Sequence, residues 1–139
     1  MKYVTFVSKD IWPAINSFWA YIKLKRNYPK NIVILCSYLK AGELLDKKIR
    51  IIYEILNKEV SIKTLKIDEN VEGVKNVIRD MVENGDVIDI TGARKSMILA
   101  LMHLSNVKIV YLHLRDMRFS ERAFLMRPLA LQDLMEVQI

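Results

Sequence analysis

Apolar positions along the chain follow two alternating rhythms, short unbroken runs and longer stretches with a helical repeat. Tyr3 to Val7 is dense in aromatic and β-branched residues and predicts a first strand. Pro13 suits the first turn of a helix, where its missing N–H is harmless. Ile15, Phe18, Trp19 and Ile22 then recur at helical spacing, with Lys23, Lys25 and Arg26 gathered at the far end. Asn31 to Ser37 holds Ile32-Val33-Ile34-Leu35-Cys36, the continuous run of a strand buried on both faces. Leu45, Ile49, Ile52 and Leu56 form the stripe of a second helix, and Ser61 to Ile67, carrying Lys63 and Lys66, reads as an edge strand. Val71, Val74, Ile78 and Met81 mark a third helix, stopped near Gly85. Val87-Ile88-Asp89-Ile90 predicts a fourth strand and Lys108 to Leu114 a fifth. Between them, Lys95 to Leu104 reads as a helix apolar nearly all round and hence covered on two sides. Past Arg115 the pattern is irregular, and Ala123 to Leu131 reads as an additional strand.

Strand–helix alternation of this kind implies parallel strands with helices on both faces. The expected architecture is a Rossmann-like α/β three-layer sandwich, one domain over residues 1–139, with a mainly parallel sheet ordered 3-2-1-4-5 and an extra C-terminal strand. In that order the winding reverses between strands one and four, and ligands bind at the carboxyl ends of strands flanking such a reversal. Two loops meet there: Ser8-Lys9-Asp10 after strand one, and the loop from Thr91 to Lys95 after strand four.

Composition agrees with a packed domain. Hydrophobic residues are 52 % of the chain and charged residues 27 %, which excludes a disordered chain. No apolar run approaches the roughly 18 residues of a membrane span, and the first residues do not resemble a signal peptide. Cys36 is the one cysteine, so no internal disulfide is expected and the reading is a cytoplasmic protein. A net charge of +6 favours anionic partners without identifying one.

The loop after the fourth strand carries the candidate chemistry. Thr91 supplies a hydroxyl, Gly92 lets a backbone approach closely, and the next helix begins with unpaired N–H groups. Arg94 and Lys95 add positive charge there and Ser96 a second hydroxyl, a combination suited to phosphate. Walker spacing is absent, and an ordinary strand-to-helix turn with Thr91 as a cap accounts for the same residues equally well.

The run Val87-Ile88-Asp89-Ile90-Thr91-Gly92-Ala93-Arg94-Lys95-Ser96-Met97 resembles the signature of CARF domains, the CRISPR-associated Rossmann fold, usually Asp-x-Thr-Gly-Gly-Thr-Lys. Ala93 stands where that family usually has its second Gly, and Arg94 where it usually has Thr. The resemblance implies a homodimer that binds a cyclic oligoadenylate, the second messenger of type III CRISPR defence, across its two-fold axis. It aligns Lys95 with the family's ligand-contacting lysine, Thr91, Gly92, Ala93, Arg94 and Ser96 with its neighbours, and Ser8, with Lys9 and Asp10 beside it, with the first-strand loop. Only about 25 residues follow the fifth strand, too few for the effector domain most CARF proteins carry. A stand-alone domain of this kind resembles the ring nucleases, which cleave the messenger.

Such cleavage needs the ring's own 2′-hydroxyl held in line with a phosphate and the phosphorane charge stabilised. Lys95 is the candidate for charge and Ser8 for positioning; no metal and no cofactor is expected. His103 and His113 are isolated and read as structural, and Asp86 and Asp89 point to opposite strand faces, which argues against a paired carboxylate site. Cys36 reads as a buried structural thiol, and Met97 and Met102 as core or dimer contacts. Trp12 either stacks on an adenine or packs at the helix start, and Arg115, Arg118, Arg122 and Arg127 either rim the pocket or are solvated. Cleavage and binding as a sensor or sponge both remain open. No helix-turn-helix or basic helix follows the domain, so stable DNA binding is not expected.

Overall fold

The sheet is built outward from its most apolar strands. In the computed structural model, which describes residues 1–139, β1 (Lys2–Val7) lies between β2 (Asn31–Cys36) and β4 (Val87–Asp89). Beyond β2 comes β3 (Ser61–Lys66); beyond β4 come β5 (Lys108–Leu114) and β6 (Gln132–Gln138), giving the order β3-β2-β1-β4-β5-β6. All pairs are parallel except β5 with β6, which is antiparallel. The expected order and the extra C-terminal strand are both present, with winding reversed between β1 and β4.

Helices α1 (Trp12–Lys25) and α2 (Leu39–Ile55) cover one face, α3 (Val71–Met81) and the short α4 (Lys95–Leu99) the other. Side-chain alternation along β1 feeds both layers: Tyr3 and Val7 pack with Phe18 and Leu45, while Val4 and Phe6 pack with Val74 and Met97. Tyr3 meets the rings of Phe18 and Tyr21 at centroid distances of 5.4 Å and 5.0 Å, edge-on to the first and tilted to the second. No helix is long and apolar enough to cross a membrane.

Two elements differ from the sequence expectation. The helix expected over Lys95 to Leu104 ends at Leu99 and passes into turns, so it is not covered on two sides. Met97, Ala100 and Leu101 are buried, whereas Ile98, Leu99 and Met102 are 37 %, 55 % and 78 % exposed. One turn and a half of helix cannot cover the strands beside it, and Tyr111, Met135 and Val137 share that uncovered face through the β5–β6 register. The strand expected over Ala123 to Leu131 is instead two short 3-10 turns, Phe124–Met126 and Leu129–Leu131, split by Pro128, which has no N–H to give a ladder. The strand lies just after them, in β6.

The tail between β5 and β6 is clipped to α1 by one buried asparagine. Asn16 donates through Nδ2 to the Arg122 carbonyl at 2.9 Å and accepts from the Phe124 N–H at 2.8 Å. Phe124 then packs with Ala20 and Leu112.

Candidate functional site

Beneath the loop after β4 lies a buried polar knot. The Asp89 side chain accepts from the Tyr3 hydroxyl at 2.5 Å, the Thr91 N–H at 2.9 Å and the Thr91 hydroxyl at 2.7 Å. Thr91 Oγ1 also lies 2.9 Å from Ser17 Oγ and accepts from the Leu112 N–H at 2.9 Å. Desolvation holds the Asp89 carboxyl above the ordinary carboxylate range despite these donors, and with the Asp89 charge holds the Tyr3 hydroxyl well above the usual phenol range. Thr91 thus spends its hydroxyl on fixing the loop to β5 and α1.

Gly92 is required by a close approach of chain to chain. A Cβ there would come well inside 3.0 Å of the Phe6 carbonyl oxygen and within 3.5 Å of Ala14 Cβ. The loop therefore rests on the end of β1, bringing the two loops at the switch point into contact.

Ser8 and Arg94 make that contact with side chains. Arg94 donates through Nε to Ser8 Oγ at 3.0 Å and pairs with Glu69 Oε1 at 3.2 Å. Ser8 Oγ in turn donates to Glu69 Oε1 at 3.3 Å. The Ser96 hydroxyl donates to the Glu69 carbonyl, tying the start of α4 to the loop before α3. The partly buried Ala93 donates its N–H to the Ile90 carbonyl at 3.0 Å. Lys95 is exposed and its ammonium makes neither a hydrogen bond nor an ion pair.

In the other loop, Lys9 is exposed with its ammonium 5.0 Å from the Tyr38 ring centroid. Asp10 accepts from the Trp12 N–H at 3.0 Å, a local turn that opens α1. Of the nine residues expected at the site, Ser8, Arg94 and Ser96 are linked through Glu69. Thr91 and Gly92 act as supports, Ala93 lies within the turn, and Lys9, Asp10 and Lys95 stand at the surface. Glu69 was not foreseen: it follows β3, two strands from β1, and no spacing in the sequence announces that α3 and α4 bring it across.

Asp86 works at the opposite end of β4, where it accepts from the Lys2 N–H at 2.8 Å and pairs with its ammonium at 3.2 Å. His103 is exposed, and Cys36 is buried with its thiol pushed up by desolvation. Trp12 is partly buried against the core. No group of three or more His, Cys, Asp or Glu side chains comes together to hold a metal. Compared with known proteins, the chain matches no family model and no curated protein sequence.

Proposed function

We propose that the chain binds a cyclic oligoadenylate, cyclic tetra-adenylate being the ring expected, across a two-fold pair of copies, and that it cleaves the ring with the ring's own 2′-hydroxyls. One observation carries this reading: Arg94 joins the two switch-point loops by reaching Ser8, while the adjacent Lys95 stands exposed and unpaired. A free ammonium beside a bridged pair of loops is suited to an anionic ligand at the carboxyl ends of β1 and β4.

In the proposed reaction a ribose 2′-oxygen attacks the adjacent phosphorus and the bond to the 5′-oxygen breaks. The 2′-proton is lost, the 5′-oxygen leaves as a hydroxyl, and a 2′,3′-cyclic phosphate remains. Lys95 stabilises the charge that builds on the phosphorane, and Ser8 positions the sugar–phosphate unit. The nucleophile belongs to the ligand, so no metal-bound water is needed.

The uncovered face beside α4 supports the two-fold pairing. Ile98, Leu99, Met102, Tyr111, Met135 and Val137 are all exposed, an apolar cluster of the kind that marks an interaction surface. A binding-only sensor or sponge is favoured by a different observation, since the Ser8 hydroxyl is already engaged by Arg94 and Glu69. Calorimetric titration with cyclic tetra-adenylate tests the binding step. One ring per two chains is expected, with affinity reduced at least tenfold in Lys95→Ala and an unchanged circular dichroism spectrum. Absence of binding to the wild-type chain, or equal affinity in Lys95→Ala, would overturn the reading.

A further inference from the structure

An arginine is almost never buried without an acidic partner, because its charge then lies in a poorly polarisable surround with nothing to offset it. Arg127, in the tail between the two 3-10 turns, is 7 % exposed, and no carboxylate pairs with it within 4.0 Å. It donates through Nε to the Phe119 carbonyl at 2.9 Å and through Nη2 to the Ser120 carbonyl at 2.6 Å. Those contacts use part of a five-donor fork, and both acceptors are neutral. Every other arginine of the chain is exposed, so burial without a counter-charge is particular to this one. Desolvation pulls the guanidinium below its usual range, and it stays protonated at neutral pH.

Arg127 lines a cleft of about 350 Å³ beside the end of β5. Pro13, Leu112, Leu114 and Met117 supply apolar wall, and Ser120 brings a hydroxyl engaged by no other side chain. Asp10 and His113 also border the cleft; the Asp10 carboxylate accepts from the Trp12 N–H and does not reach Arg127. The volume falls at the small end of ligand sites, which span about 300–1,000 Å³, and is several times that of a bare phosphate.

We propose that this cleft is a second ligand site, taking a small organic oxyanion whose phosphate or carboxylate head meets Arg127 and whose apolar body lies against Leu112, Leu114 and Met117. The planar fork matches either head group in two parallel hydrogen bonds. Such a head supplies the missing counter-charge, and the Ser120 hydroxyl offers it a further donor. Asp10 and Thr91 at the loop site also line this cleft, which therefore adjoins that site, but Lys95, on which the ring reading rests, is not part of its wall.

Calorimetric titration with phenyl phosphate, benzoate and phenol tests it on the wild-type chain and on Arg127→Gln, Arg127→Lys, Ser120→Ala and Lys95→Ala. Saturable binding of either anion is expected, with phenol at least tenfold weaker, and the tighter anion names the head group. Arg127→Gln is expected to weaken binding at least tenfold and Lys95→Ala to leave it unchanged. If circular dichroism finds Arg127→Gln unfolded, Arg127→Lys and Ser120→Ala decide, each expected to weaken binding at least threefold. The proposal is overturned if neither anion saturates, if phenol binds as tightly, or if folded Arg127 variants keep wild-type affinity. Binding lost in Lys95→Ala and kept in Arg127→Gln belongs to the loop site and overturns it equally.

Discussion

Replacing Gly92 by alanine adds one methyl group where the loop after β4 lies on the end of β1. The added Cβ would approach the Phe6 carbonyl oxygen about an ångström closer than the 3.0 Å that real Cβ atoms respect. A flexible side chain would swing away, but this neighbour is main chain in a central strand, paired with β2 through Phe6↔Leu35. Either β1 or the loop must shift, and the loop is held by the three hydrogen bonds from Tyr3 and Thr91 to Asp89. Overpacking of this kind costs about 1–3 kcal/mol, and the lack of any yielding partner sets the expectation near ~3 kcal/mol. For a domain of this size that lowers Tm by roughly 10 °C. Gly85→Ala is the control: at φ +86° it has nothing within 4 Å of its Cβ, so it suffers the left-handed backbone alone, about 1–2 kcal/mol. Urea unfolding of both variants decides the matter. Gly92→Ala losing no more stability than Gly85→Ala would refute the close-approach reasoning.

Two further outcomes follow from the buried knot and the uncovered face. Burial raises the Asp89 carboxyl above its unfolded value, so the stability this group contributes is full below the unfolded pKa and lost as pH rises through the raised one. The stability of wild type relative to Asp89→Asn should therefore fall from pH 4 to neutrality in urea titrations; a pH-independent difference contradicts the assignment. Met102→Glu places a charge in the apolar face and should convert the proposed two-fold pair into monomers by light scattering, with little change in monomer Tm because Met102 is 78 % exposed. A Met102→Glu dimer as tight as wild type would place the pairing elsewhere.

Much of the fold was legible because its strands announce themselves. Ile32 to Cys36 has no polar interruption, and the helical stripes of α2 and α3 are clean, so order and layers followed from alternation alone. The sequence reading puts the C-terminal strand at Ala123 to Leu131 and not at β6 because β6 has apolar groups on both its faces and so lacks the alternation of a half-buried strand. The overlong α4 has a similar cause, since apolar residues from Met97 to Leu104 mark a helix and an uncovered face alike. At the site, the loop residues were legible from their chemistry, but their division of labour was not. Thr91 and Gly92 suggested ligand contact from sequence, whereas hydrogen bonds to Asp89 and the approach to Phe6 occupy them. Glu69 and Arg127 depend on tertiary placement that no local pattern encodes.

Incubation with cyclic tetra-adenylate in EDTA, followed by ion-exchange chromatography and mass spectrometry, tests whether the chain cleaves the ring with the ring's own 2′-hydroxyls. Linear di-adenylate ending in a 2′,3′-cyclic phosphate is expected, formed at the same rate with and without chelator and slowed at least a hundredfold in Lys95→Ala. A ring with 2′-deoxyriboses at the attacking positions should bind and stay intact. Tight binding of the natural ring with no product after hours would contradict cleavage and leave the sensor reading. Product that needs a divalent ion, or that ends in a 3′-phosphate without passing through the cyclic form, would contradict attack by the 2′-hydroxyl.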